Sequence, residues 1–435
     1  MHPSFLDSLS WEIAEVYGAV TDQIMINLAK HFPYYQAGID NMPHSAFQYQ
    51  AKMLAQMGQV TRETIEIIRR NLADKDEALQ KALEQSVIDA VKAAQPDLVN
   101  AVKAGILHPE RMPVVAPNQM NAFRMYYRQA AQDLNLVSTV MLESTRSAFR
   151  QIVSDVVAEI ELTDRIARTQ RALNVAAGEV VTGVSSWNQA LRHAIEKLKH
   201  GGITGFIDHI GRRWSAETYV AMDIRTSVFN TGRAAVWETN RDLGNDLYIV
   251  SWHAGARPLC FPWQNKVIST TDNARTVKDL YGNDVHVYAQ SETTYGQPAG
   301  LFGINCGHYP NPFIPHVSTV GTQSMDKEEN DKIYQQSQHQ RRLERKIREQ
   351  KRDLLMAKEQ GAPQEEIDRL RDKTRQTSAE IEDFCAATGR ARHRDREAVY
   401  TQREFPAADR YNVAEFERTQ KDLIDEYFRS GGVQK

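Results

Sequence analysis

One block of this chain departs from the helical period that governs the rest. Between Gly201 and Ser318, glycine and proline become frequent, Trp214, Trp237, Trp252 and Trp263 gather, and short β-prone runs stand at Leu247 to Ser251 and Val285 to Tyr288. On either side, apolar residues recur at three- and four-residue steps, the spacing of one face of a helix. The expected fold class is therefore mainly α with a central α+β turn-rich module, a helical N-terminal half and a C-terminal antiparallel helical hairpin. The parts are 1–200, a helical region; 201–320, the α+β module; 321–400, the charged hairpin; and 401–435, a C-terminal tail.

Local signals fill in this plan. Leu9, Ile13, Val16, Val20 and Ile24 predict an amphipathic first helix with a narrow seam that looks for a partner surface. Breaks are expected from Phe32-Pro33 to Met42-Pro43 and from His108-Pro109 to Pro117, with helices through 45–105 and 119–200. Thr61 is a candidate N-cap, with Glu63 placed to favour the helix dipole. In the hairpin, Leu343, Ile347 and Leu354 mark one helix, and 367, 370, 374, 377, 381 and 384 keep a heptad on the next, weakened by Thr374 and Thr377. Gly361-Ala-Pro363 supplies the stop and restart between them.

Composition narrows the function classes. With 435 residues the chain can bury more than one core, and a formal charge of −3 gives no global pull toward nucleic acid or anionic lipid. Three cysteines, Cys260, Cys306 and Cys385, are too few for a disulfide framework and fit a reducing compartment. Asp7, Glu12 and Glu15 near the start do not read as a signal peptide, and no apolar run approaches the ~20 residues of a membrane span, so no membrane partner is expected. Walker, GxGxxG, GxSxG and HExxH motifs do not occur, which points away from the commonest enzymes.

Chemistry concentrates in two segments, Ser251-Trp-His253-Ala-Gly-Ala-Arg257-Pro258-Leu-Cys260-Phe-Pro-Trp263-Gln264 and Gly303-Ile-Asn305-Cys306-Gly-His308. Thiolate and imidazole are the ligands zinc prefers, so His253, Cys260, Cys306 and His308 are candidate ligands of a Cys2His2 site, although Cys306-x-His308 is tighter and His253 to Cys260 looser than common knuckles. The bland alternative packs the cysteines as small apolar residues and bonds the histidines to turn carbonyls. A Cys/His nucleophile and a His253/Asn305/His308 nuclease finger drawing on Asp272, Asp279 or Asp284 are further readings with less behind them. Arg225 and Arg257, bordered by apolar and turn residues, are expected to clamp carbonyls and brace loops, with Trp263 and Asn305 as structural residues beside them. The run containing Arg341, Arg342, Arg345, Arg348, Lys351 and Arg352 is by default a solvated, salt-bridged surface. Its sharper reading is a phosphate footprint for DNA or a basic contact for a partner.

These residues carry a resemblance. Ile224-Arg225-Thr226, the two Cys/His segments, Trp263-Gln264-Asn-Lys266, Tyr295-Gly296 and Gly300-Leu, continued by Gln340-Arg341 to Lys351-Arg352, Phe384, Thr388-Gly389 and Arg396-Glu397, resemble the tailed-phage minor capsid protein 2 family, related to Mu-type head-morphogenesis proteins. The resemblance implies a non-enzymatic structural virion protein at the phage head's portal vertex. It also implies assembly in the bacterial host cytoplasm with portal and major capsid proteins as partners; the amphipathic helices of 1–200 are expected to dock there, and the charged hairpin to meet packaged double-stranded DNA or a partner. It requires no cofactor, with zinc the metal the Cys/His set would take. Relatives tend to carry His where Cys260 stands, Gly at Asn265, Arg at Gly307 and Gly at His316. A His/Cys exchange is one that a zinc position tolerates.

Overall fold

The computed structural model describes residues 3–33, 45–106, 117, 120–173, 189–194, 206–207, 213–399, 418 and 421–422. Most of the expected breaks after Pro33 and from His108, the helical half beyond 173 apart from 189–194, and the tail 401–435 apart from 418 and 421–422 lie outside the described residues. The protein is mainly α with a central α+β region, in the order α1 (Pro3–Lys30), α2 (Ala46–Asn71), α3 (Lys75–Lys103), α4 (Asn121–Leu173), β1 (Phe206–Ile207), β2 (Arg213–Trp214), α5 (Ala216–Asp242), β3 (Leu247–Val250), β4 (Val267–Ser269), β5 (Arg275–Lys278), β6 (Asp284–Ala289), β7 (Pro310–Pro312), α6 (Lys327–Glu359) and α7 (Gln364–Thr388). None of the described helices is long and apolar enough to cross a membrane.

The helical core is built around α1 and α5, which pack on each other and on α3 and α4, while α2 closes over α1 and α4. Here the narrow seam expected of α1 is corrected: every residue from Ile13 to Asp22 is buried. A helix enclosed on all sides spends its apolar surface inside its own fold, each fully buried Val or Ile contributing on the order of 2 kcal/mol. Its polar members find partners: Glu15 accepts from Trp11 Nε1 at 3.1 Å, the Thr21 hydroxyl donates to Tyr17 O at 2.9 Å, and Asp22 pairs with Arg352. The narrow seam belongs instead to α2, where Tyr49, Met53, Val60 and Thr64 are the buried set. Ser45 caps that helix, its Oγ accepting from Gln48 N at 3.2 Å. Thr61, the expected cap, lies inside α2 and donates to Met57 O at 2.8 Å, because the helical pattern runs upstream of it.

After the short strands β1 and β2 comes α5, whose N-cap Ser215 accepts from Thr218 N at 3.2 Å. From there α5 runs through the helical core and on to the sheet. Strand order in the sheet is β5-β6-β4-β3-β7, antiparallel except for the parallel β4–β6 pair. Pro310 and Pro312 confine β7 to an edge, since proline cannot donate to a second neighbour. Strand alternation sends Tyr248 and Val250 to one face, with Ile268, Cys260, Leu301, Phe302 and Cys306, and Leu247 to the other, with Val267, Val285, Val287 and Phe313. Past the sheet, α6 and α7 form the antiparallel hairpin, Gly361 at φ 71° ending the first helix. Its seam includes Leu343, Leu370, Ile381 and Cys385.

Candidate metal centre and arginine-lined cleft

Two loops meet on the Tyr248 face of the sheet. The first leaves β3 at Ser251 and returns to β4 through a 3-10 turn at Phe261–Trp263. The second follows β6 and reaches β7 through the tight turns around Gly300 and Gly303, where an added Cβ would stand 1.9 Å from Thr294 O and 2.5 Å from Pro298 O respectively. Gln264 ties the first loop to itself, its Oε1 accepting from His253 N at 2.7 Å, and Asn330 of α6 ties that loop to the hairpin by accepting from Ala256 N and donating to Ala256 O, both at 2.8 Å.

Three of the four expected ligands come together. Cys260 Sγ and Cys306 Sγ are 3.8 Å apart, Cys306 Sγ and His308 Nδ1 3.5 Å, and one ligand atom from each of the three residues lies within 4.8 Å of the others, all buried. His253 is not in that group: its ring packs against His308 with centroids 4.2 Å apart and planes tilted by 31°, and its Nδ1 sits 3.2 Å from Ala254 O. Burial, and then the neighbouring His308, hold the His253 imidazole down at about 4, so it is neutral at physiological pH. The hydrogen bond between the sulfurs and burial push the Cys260 thiol up. The same bond, with His308 and Arg233, outweighs burial and draws Cys306 toward a thiolate.

Arginines brace the site. Arg257 donates to Ile304 O at 2.6 Å, to Gly300 O at 2.9 Å and to Cys260 Sγ at 3.6 Å, the geometry of a carbonyl clamp. Arg225 lies over the Phe229 ring at 5.4 Å, and its Nη2 stands 3.6 Å from where a Cβ on Gly307 would be, so a guanidinium from α5 fills the space beside that glycine. Asn305 takes φ 58°, and its N–H meets Thr226 Oγ1 at 3.4 Å; Trp263 packs edge-on to Tyr288 at 5.7 Å. Asn265 and His316 adopt φ 58° and 65°, a left-handed backbone held without glycine.

The residue that composition and motif missed is Arg233. Only 1% exposed, it donates from Nε to His308 O at 3.1 Å, from Nη2 to Cys306 O at 2.6 Å and His308 O at 3.0 Å, and from Nη1 to Phe302 O at 3.1 Å and Asn230 Oδ1 at 2.8 Å. One planar fork thus fixes the backbone of two of the three clustered residues. Its signal was faint but present: a lone cation among small and apolar residues in Thr231-Gly-Arg-Ala-Ala235.

Beside the cluster opens a cleft of about 700 Å³ between the module and α6, lined by Arg225, His253, Arg257, His308 and Arg341 among others. A smaller cleft of about 170 Å³ shares Arg225, Asn305 and Arg341 with it and adds Arg345, Arg348 and Arg396 against Glu344. The six cations expected to face DNA or a partner therefore divide. Arg341, Arg342 and Arg345 are exposed. Arg348 and Arg352 point inward instead, making buried ion pairs with Glu217, and Arg352 also with Asp22, while Lys351 donates to Glu397 O at 2.8 Å.

What fold and site define first is a class: a mainly α protein whose small mixed sheet holds a buried Cys–Cys–His cluster at the edge of an arginine-lined cleft. The family model for phage minor capsid protein 2 matches residues 1–165 and 162–386, and the chain belongs to that family. It is 27% identical over 277 residues, 62% of this chain and 73% of the relative, to a structural protein of Lactococcus phage LL-H. No solved structure matches the chain. The protein is thus a structural component of a phage virion.

Proposed function

We propose that this minor capsid protein works without enzymatic activity at the portal vertex, assembled in the host cytoplasm with portal and major capsid proteins, and that its arginine-lined cleft contacts packaged double-stranded DNA. The observation that carries the DNA contact is the convergence of Arg225, Arg341, Arg345 and Arg396 on adjoining clefts with Glu344 as the acidic residue among their lining. Cations so gathered exchange the counterions of a phosphate backbone for themselves, and such binding weakens steeply with salt. The test is a salt titration of duplex DNA binding by the wild type and by R341E/R345E, two exposed positions whose reversal leaves the buried ion pairs intact. The double variant should bind more weakly, with the log–log salt slope reduced by about 0.9 for each phosphate the protein no longer neutralises. Identical binding by both proteins would remove the cleft from the DNA interface.

The carboxylates that a metal-dependent nuclease would draw on are engaged elsewhere. Asp272 accepts from Ser291 N at 2.8 Å, Asp279 from Tyr281 N at 2.9 Å and Asn283 N at 2.8 Å, and Asp284 pairs with Lys278 at 2.8 Å, so these carboxylates serve turns and strands.

A further inference from the structure

We propose that Cys260, Cys306 and His308 bind one zinc ion, with His253 outside the coordination sphere and the fourth position taken by solvent. A tetrahedral zinc with Zn–S of ~2.3 Å and Zn–N of ~2.0–2.1 Å places its ligand atoms ~3.8 Å apart for sulfur and sulfur and ~3.6 Å for sulfur and nitrogen. The protein holds Sγ–Sγ at 3.8 Å and Sγ–Nδ1 at 3.5 Å. Two edges of the coordination polyhedron are therefore already in place, on residues whose backbones other groups fix.

Spacing alone also suits two thiols in contact, and a second observation separates the readings. His308 is 1% exposed, yet among the described residues its buried Nε2 has no hydrogen-bond partner and its Nδ1 meets the Cys306 sulfur. Buried imidazoles ordinarily have both nitrogens engaged by oxygen or nitrogen. Here neither is, and zinc on Nδ1 would engage the one that meets only a thiol. The surroundings supply what a two-thiolate site needs: Arg257 Nη2 lies 3.6 Å from Cys260 Sγ, and Arg233 donates to the carbonyls of both Cys306 and His308, so charge and ligand position are supported from outside the cluster. His308 lines the 700 Å³ cleft, which gives solvent a route to the fourth position. His253 lines it too, but with its ring tilted against His308 and its Nδ1 at a backbone carbonyl it acts as a wall.

Zinc binding at this cluster does not depend on DNA binding by the cleft, and metal content tests it directly. Full-length protein purified under reducing conditions without a metal-affinity tag should carry one equivalent of zinc. C260S, C306S and H308A should each lose it, while C385S, in the hairpin seam, and H253A should keep it. Because ligand variants can also misfold, the wild type is tested alone as well. Stripped and reloaded with cobalt, it should show the intense visible bands of a tetrahedral ion and thiolate-to-cobalt charge transfer in the near ultraviolet. Metal-free wild type with no cobalt–thiolate band overturns the proposal, as does a Cys260–Cys306 disulfide found by intact mass in protein kept reduced. Zinc lost from H253A overturns the three-residue assignment.

Discussion

Glu217 to Gln gives a pH signature that separates a working buried ion pair from an idle one. The Glu217 side chain meets Arg348 at 2.8 Å through Oε1 and Arg352 through Oε2, at the first turn of α5, with side-chain exposures of 9% and 13% for the arginines. Burial alone raises its pKa, but the two guanidiniums outweigh that and hold it down at about 2, against 4.5 in an unstructured chain. That difference amounts to about 3 kcal/mol of stability at neutral pH. A depressed carboxyl contributes fully above its unfolded value and loses its contribution as pH falls through the folded one, so the window runs from above 4.5 down to about 2. E217Q keeps the volume and removes the charge, leaving Arg348 and Arg352 buried with one acceptor fewer; breaking such a pair typically costs about 3–5 kcal/mol, in line with the linkage figure. Urea unfolding of wild type and variant from pH 7 down to pH 3 should therefore show a gap of about 3 kcal/mol that holds to about pH 5 and narrows below it. A gap that stays constant with pH, or stays below about 1 kcal/mol at pH 7, would refute the assignment of this cluster as the latch between α5 and the hairpin.

Other expectations follow from single contacts. Gly232 to Ala gains about 1 kcal/mol of helix propensity, but its Cβ would lie 1.9 Å from Tyr309 Oη and 2.6 Å from Ser86 Oγ, so calorimetry should show net destabilisation of about 1–3 kcal/mol; a raised Tm would mean α3 and α5 separate easily. Burial, and then the Asp133 charge, raise the pKa of Asp223 well above the carboxylate range. The fold keeps a proton there that the unfolded chain has released, and stability falls as pH rises from about 4 toward neutrality. D223N should remove that slope and gain on the wild type with rising pH in denaturant melts; parallel curves would count against it. Cross-linking mass spectrometry on intact particles should join this protein to the portal protein; links confined to tail proteins would contradict a portal-vertex position.

The sequence made the helices legible where one face was apolar: α2, the hairpin and its Gly361-Ala-Pro363 stop all follow period and punctuation. It made the cluster legible as well, since Cys260, Cys306 and His308 lie in the two segments richest in chemistry. What it hid was non-local. Glu15, Thr21 and Asp22 look like the polar side of α1, and only the fold brings Arg352, 330 residues away, to Asp22. Arg348 and Arg352, one helical turn apart, look like solvated cations until α5 presents Glu217 to that face. Gly18 gives no warning either, although a Cβ there would stand 3.3 Å from Glu217 Oε2 and crowd the carboxylate that both arginines need. Charged residues in a helix read as surface by composition, yet Arg233 is 1% exposed.

Arg233 also decides how the cluster should respond to loss of metal. In small zinc domains the ion supplies the folding energy, and chelation unfolds the chain. Here the backbones of Cys306 and His308 are already gripped by a fully buried guanidinium on α5, a helix held by α1, α3 and α4. Zinc removal should therefore leave the far-ultraviolet circular dichroism unchanged and lower the Tm only by what mass action on a bound ligand supplies. In R233K the four carbonyl hydrogen bonds of the fork reduce to those one ammonium can reach, so the loop loses its metal-independent support. The variant should then lose more Tm on chelation than the wild type does, because two supports of the same loop couple non-additively. Equal losses in both proteins would mean that arginine and cluster hold the loop independently, and unfolding of the wild type by chelator alone would make the ion, not the helix, the element that builds the site.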